Sequence, residues 1–133
     1  MTRKEAREWM MKVYYQLDIR SSFCEDQPEE FLDPEKCGGQ YEYCRKLFAL
    51  YLERREEYDR LIEKYSAGWK AGRLAKTDIA VLRLGCAEIL DIPDVPDGAA
   101  VNEAVELAKR YGTENAPKYI NGILGQIIRE EKK

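Results

Sequence analysis

Apolar residues recur at helical spacing along nearly the whole chain, and helix start and stop signals fence each run. The first run is Ala6, Met10, Val13 and Leu17, whose four–three–four spacing lines one face of a 3.6-residue turn. Thr2 and Glu5 stand ahead of it as a T-x-x-E capping box, so the first helix starts at the N-terminus and is expected to end near Ile19. Residues 41–65 read as one long helix, with Leu47, Leu50 or Tyr51, Arg54, Tyr58, Leu61 or Ile62, and Tyr65 on its inner face. Glu53, Glu57, Arg60 and Lys64 mark its solvated, salt-bridged exterior. Thr77 or Asp78 is expected to cap a helix over about 78–91, with Ile79, Leu82, Cys86 and Ile89 inward. Pro93 and Pro96 break the chain, and a helix over about 98–111 follows, with Val101, Ala104, Val105 and Ala108 on one face. Gly112 reads as a left-handed stop, Asn115 as an N-cap and Pro117 as a first-turn proline. The last helix then runs through Ile120, Ile123, Leu124, Ile127 and Ile128.

Between these runs lie connectors. Residues 21–40 hold Pro28, Pro34 and Gly38-Gly39, with a short helix expected near 28–36, and Trp69 to Leu74 form one or two turns. Strand signals are few and no internal repeat is present, so the chain reads as all-α. Its 133 residues suit a single domain able to bury a core without disulfides or metal. No apolar run reaches the ~18 residues of a membrane span, and Met1-Thr2-Arg3-Lys4-Glu5 lacks the apolar stretch of a signal peptide, so a cytoplasmic protein with no membrane partner is expected.

Chemistry-bearing patterns are missing. The four cysteines, Cys24, Cys37, Cys44 and Cys86, form no C-x-x-C pair, and the sequence has no histidine, which speaks against a zinc site and for free thiols. No Gly-rich phosphate loop, G-x-S-x-G or carboxylate metal motif occurs, so neither a cofactor nor an enzymatic activity is expected.

Charge, however, is segregated. The net charge is -3, but residues 1–12 carry Arg3, Lys4, Arg7 and Lys12 against Glu5 and Glu8, a balance of +2. Residues 70–83 carry Lys70, Arg73, Lys76 and Arg83 against Asp78, a balance of +3. Residues 88–106 hold Glu88, Asp91, Asp94, Asp97, Glu103 and Glu106 with no base, a balance of -6. Local potential rather than net charge governs what a surface attracts. Arg3, Lys4 and Arg7 also oppose the helix dipole, which favours acids in the first turn, so a bound phosphate would account for them.

Three blocks carry a family resemblance. Residues 69–90, WKAGRLAKTDIAVLRLGCAEIL, are similar to the W-x-x-x-R-L-x-x-x-D-x-x-x-L-R-x-x-x-x-E-[IL]-L pattern of the NusB family. Residues 94–124, DVPDGAAVNEAVELAKRYGTENAPKYINGIL, resemble its D-V-P…N-E-A-[VI]-E-L-A-K-x-[YF]-G…[FY]-[VI]-N-G-[VIL]-L signature, and residues 3–8, RKEARE, its basic start. The blocks lie in order and frame nearly the whole chain, whereas residues 20–65 carry little family information. The resemblance implies a compact bundle of about seven helices in two three-helix subdomains, here about 1–66 and 67–133. It also implies a role in antitermination and ribosomal RNA synthesis. The implied partners are single-stranded boxA-type RNA, the small-subunit ribosomal protein that doubles as NusE, and the RNA polymerase elongation complex, with the chain a monomer or a homodimer. A similar helical domain occurs fused to ribosomal RNA cytosine methyltransferases, and a purely structural helical module is a further alternative.

The resemblance turns several residues into candidates. Arg3, Lys4 and Arg7 are expected to line one edge of a single-stranded RNA groove, with Lys118 and Tyr119 on the other. Tyr119 reads either as core or as a ring on which a base stacks. Asn115, where many relatives carry Asp, reads as a cap or as a neutral neighbour for phosphate. Asp78 reads as a helix N-terminal acid or as a contact for the protein partner. Asn102, Glu103, Asn121 and Gly122 are expected to serve helix packing, and Trp69 to anchor the connector. Reversing Arg7 to Glu is expected to weaken RNA binding without unfolding the protein if the site is exposed. For the cysteines, the expected outcome is that a chelator leaves the melting temperature unchanged and that all four thiols titrate in the reduced chain; stoichiometric zinc after purification would overturn it.

Overall fold

The structure is a computed structural model in which residues 1–20 and 31–132 are described. Among these residues there are six α-helices and no strand: α1 (Arg3–Arg20), α2 (Pro34–Cys37), α3 (Tyr41–Tyr65), α4 (Lys76–Asp91), α5 (Asp97–Tyr111) and α6 (Ala116–Glu131). Single 3-10 turns stand at Gly38–Gln40 and Ala71–Arg73. The all-α reading holds, with one helix fewer among the described residues than the seven expected. Cys24, Pro28 and residues 28–30 of the expected 28–36 helix lie outside the described residues; residues 31–33 are not helical, and α2 supplies the last part of that span.

The helix ends follow local chemistry unevenly. At α1 the capping box forms as read: the Glu5 amide donates to Thr2 Oγ1 at 3.1 Å and the Thr2 amide to Glu5 Oε1 at 2.8 Å. At α2, Pro34 opens the helix and Asp33 accepts from the Glu35 amide at 2.9 Å. At α4 the expected caps, Thr77 and Asp78, lie inside the helix, which begins after Ala75 with no side-chain cap. Asn115 precedes α6 with its side chain making no cap bond. Gly112 is extended (φ -85°, ψ 177°) rather than left-handed. Glycine is required there by close approach, since a Cβ would lie 2.7 Å from Asp78 Oδ1 and 2.8 Å from the Ala108 carbonyl.

α4 is the hub. It packs against α1, α3, α5 and α6, and every residue from Asp78 to Ile89 is buried. The sequence shows one inner face, Ile79, Leu82, Cys86 and Ile89; Ala80, Val81, Leu84 and Ala87 fill the others, which is how a fully surrounded helix reads. Gly85 lets α6 close on it: a Cβ there would meet Leu124 Cδ1 at 2.7 Å. The expected inner residues of α1, Ala6, Met10, Val13 and Leu17, are all buried, as are Ile120, Ile123, Leu124 and Ile127 of α6. On α5 the buried face is Ala100, Ala104, Leu107 and Ala108, while Val101 and Val105 sit at its margin. Cys37, Cys44 and Cys86 are buried free thiols; burial, with Cys37 beside it, pushes the Cys44 thiol up to about 12.

Two ion clusters tie the helices to α4. Arg7 of α1 meets Glu88 with Nε at 2.9 Å and Nη2 at 2.9 Å, and the Tyr43 hydroxyl of α3 donates to the same carboxylate at 3.0 Å. Arg83 meets Asp59 of α3 at 2.8 and 2.9 Å, with Asp18 of α1 3.4 Å away. Burial by itself would push the Arg7 guanidinium pKa down, but the Glu88 carboxylate overrides it and holds the pKa up. Arg7 is 6% exposed, so the expectation of an open cation there is corrected: its charge is taken up inside the fold. Arg7→Glu is therefore expected to destabilise the protein by about 3–5 kcal/mol, since it leaves buried Glu88 unpaired and facing a second carboxylate. Urea denaturation measures this; a midpoint within error of the wild type would overturn the assignment.

Candidate functional site

The basic start of α1 acquires internal partners on folding. Arg3 Nε donates to Gln40 Oε1 at 2.7 Å, and its guanidinium lies 4.0 Å from the centre of the Tyr43 ring, a cation–π contact. Lys4 reaches Glu103 of α5 at 3.5 Å but keeps a side chain 68% exposed. These contacts account for cations in a first turn without a bound phosphate. They leave Lys4 as the most accessible of the three, Arg3 half-buried and Arg7 internal.

The start of α6 is held by a different acid. Asp78 is 1% exposed and accepts from the Thr113 amide at 3.1 Å, from Thr113 Oγ1 at 2.7 Å, and from the Tyr119 hydroxyl. It thereby fastens the α5–α6 turn to the first turn of α4, and both its oxygens are engaged internally. Burial, reinforced by the Asp78 bond, pushes the Tyr119 phenol well above its ordinary range, so the ring is neutral at physiological pH.

These two groups are anchored toward opposite ends of α4. Arg7 is fixed to Glu88 and Tyr119 to Asp78, ten residues apart on α4, which at 1.5 Å per residue is about 15 Å along the helix. Lys118 and Tyr119, adjacent in sequence, also diverge. Lys118 is exposed beside a shallow depression on the outer α5–α6 face, with Asn102, Lys109 and Asn121. Tyr119 turns toward a larger cleft of about 810 Å³ between the α3–α4 connector and α6, which also takes in Asp78 and Asn115. Asn102, Asn121 and Gly122, expected in helix packing, are exposed, and a Cβ on Gly122 would touch nothing. Glu103 alone of that group makes interhelical contacts, to Lys4 at 3.5 Å and Arg7 at 3.9 Å.

That cleft also holds side chains that sequence reasoning passed over. Trp69, read as an anchor, is 57% exposed on its rim. Tyr65, Arg73 and Arg129 stand on the same wall or edge. The available signal was the basic 70–83 segment, but periodicity could not say which of its cations turn inward. Among the described residues no cluster of three or more His, Cys, Asp or Glu side chains suits a metal ion, and no helix is long and apolar enough to cross a membrane.

Comparison with known proteins extends over the whole fold. Residues 4–129 match the NusB family. The chain is 40% identical over 131 residues to the transcription antitermination protein NusB of Thermoanaerobacter sp. (strain X514), covering 98% of this chain and 93% of that protein. Against the protein of the same name from Alkaliphilus oremlandii (strain OhILAs) it is 39% identical over 132 residues, covering 98% and 96%. Among solved structures it is similar to T. maritima NusB, with a TM-score of 0.88, 36% identity, and 98% and 92% of the two chains covered. It is similar also to a chain from the crystal structure of antitermination factors NusB and NusE in complex with dsRNA, with a TM-score of 0.81, 31% identity, and 96% of each chain covered.

Within this chain the α4–α6 clasp has a measurable consequence. Asp78→Ala is expected to cost about 1–3 kcal/mol, because the half-buried Tyr119 hydroxyl and the amide and hydroxyl of the exposed Thr113 lose their acceptor. It should also speed hydrogen exchange at the Thr113 amide; unchanged stability and exchange would overturn the clasp.

Proposed function

The chain belongs to the NusB family, and from that premise we propose that it is a non-enzymatic transcription antitermination factor. In this reading it binds boxA-type nascent RNA together with the ribosomal protein NusE, within the RNA polymerase elongation complex in the cytoplasm, and supports ribosomal RNA transcription. The observation that carries the reading is its end-to-end likeness to a NusB chain solved with NusE and dsRNA.

The surface chemistry supports an RNA role distributed over two patches. Lys4 and Arg3 stand at the start of α1, and Lys118, Asn115 and Tyr119 at the start of α6. Cations position an RNA backbone and an aromatic ring holds a base, so each patch has a distinct task. Arg7 contributes by fixing the first patch through Glu88. Asp78 contributes to either partner through Tyr119 and the 113–115 turn that it holds. The division into halves near residue 66 belongs to the same reading: α1–α3 carry the first patch and α4–α6 the second.

The test is binding of labelled boxA-like RNA with and without NusE over a salt series. With about three phosphates neutralised, the logarithmic salt slope should be on the order of 2 for a single strand, and NusE should raise the affinity. Lys4→Glu and Lys118→Glu should each weaken binding and flatten the slope. Tyr119→Ala should cost ~1–3 kcal/mol of binding with the slope nearly unchanged. Absence of RNA binding by the wild type, alone and with NusE, would sink the reading.

A further inference from the structure

Folding sorts the cations of the 70–83 segment. Lys76 turns to Asp18 at 3.2 Å and Arg83 to Asp59 at 2.8 Å. Lys70 and Arg73 remain exposed, and among the described residues no carboxylate pairs with either. Arg129, exposed in the last turn of α6, has no carboxylate partner there either. Arg73 and Arg129 both border the 810 Å³ cleft, and a second hollow, which adds Lys70, adjoins it through Trp69 and Arg73.

Among the described residues, the one carboxylate that lines the cleft is already engaged, and so is Glu131. Asp78 accepts its three internal bonds, and Glu131 takes Lys64 at 3.1 Å and the Tyr65 hydroxyl at 2.6 Å. The cleft therefore presents unpaired positive charge around aromatic and apolar walls. Its tryptophan is held in place by the backbone. Ala67 (φ 56°) and Gly68 (φ 90°) are both left-handed, a conformation disfavoured for the alanine. Ser66 Oγ, donating to either the Trp69 carbonyl at 2.8 Å or the Glu63 carbonyl at 3.2 Å, bridges this turn. The result is a flat indole, 57% exposed, on a pinned turn between cations.

We propose that this cleft binds unpaired bases of single-stranded RNA, one stacked on Trp69, with the neighbouring phosphates held by Arg73 and Arg129. The inference rests on the RNA-binding reading above and deepens its second patch, since Asn115 and Tyr119 line the same cleft, by adding Trp69, Arg73 and Arg129 to it. A base offers a π-face to the indole whatever its sequence, and arginine is the side chain suited to phosphate. A cationic protein segment would find no free carboxylate among the described residues that line the cleft, whereas Arg73 and Arg129 do line it, so charge complementarity favours an anionic strand over a basic peptide.

The experiment uses the full chain, with and without the ribosomal partner, and boxA-like RNA as a single strand and as a paired duplex. Trp69→Ala should weaken single-strand binding by roughly 5- to 150-fold, the effect of losing one stacked base, and Trp69→Phe should restore most of it. Arg73→Gln and Arg129→Gln should each lower the logarithmic salt slope by about 0.7. All four variants should melt like the wild type, their side chains being exposed. The duplex should lose little from Trp69→Ala. If Lys4→Glu weakens binding while the Trp69, Arg73 and Arg129 variants bind RNA like the wild type, the cleft assignment is overturned and the RNA-binding reading stands. If these variants lose only the ribosomal partner in the absence of RNA, the cleft docks protein and the proposal is again overturned. If the wild type binds no RNA under any condition, both readings fall together.

Discussion

Glu88 is the group on which the arrangement of helices turns. It is 1% exposed near the C-terminal end of a helix that other helices surround. An isolated carboxylate there would be several kcal/mol out of balance, because its lost hydration must be replaced. Arg7 supplies two hydrogen-bonding nitrogens and Tyr43 a hydroxyl, so one acid of α4 fixes the axial position of both α1 and α3. Apolar burial supplies the larger driving force but is non-directional. The ion cluster adds a register that Met10, Leu47 and Leu82 could not impose by packing alone.

The same logic explains the segregated charge. Four of the six acids between residues 88 and 106 are met by distant bases: Glu88 by Arg7, Asp91 by Arg54, Asp97 by Lys132, and Glu103 by Lys4. Much of what reads as a basic N-terminus and an acidic middle is thus an intramolecular complement. Positive charge left over after this pairing is the part available to a ligand. It includes Lys118 at the start of α6 and Lys70, Arg73 and Arg129 around Trp69, while Lys4 at the start of α1 keeps most of its exposure beside Glu103.

Asp78 plays a second positioning role at the other end of α4. It holds the α5–α6 turn, which puts Asn115 and Tyr119 at the mouth of the cleft. Gly112 permits that closure, because any side chain would collide with the Asp78 carboxylate. A carboxylate inside the fold and an aromatic ring at its edge are therefore coupled through one hydroxyl.

The sequence by itself determined the helices, the capping box at Thr2 and Glu5, the buried faces of α1 and α6, and the family, since these depend on local spacing and on motifs a few residues long. Three-dimensional packing decided the rest. Periodicity marks a face but not how many neighbours cover it, so α4 read as half-buried and is enclosed. The conformation of Gly112 was misread because its constraint comes from Asp78, far away in sequence, rather than from its own turn. Whether a cation is free depends on which carboxylate lies across the helix interface: Arg7 finds Glu88 and goes inside, Lys4 keeps most of its exposure, and Arg73 finds no acid. Those pairings span tens of residues, and only the folded chain brings their members together.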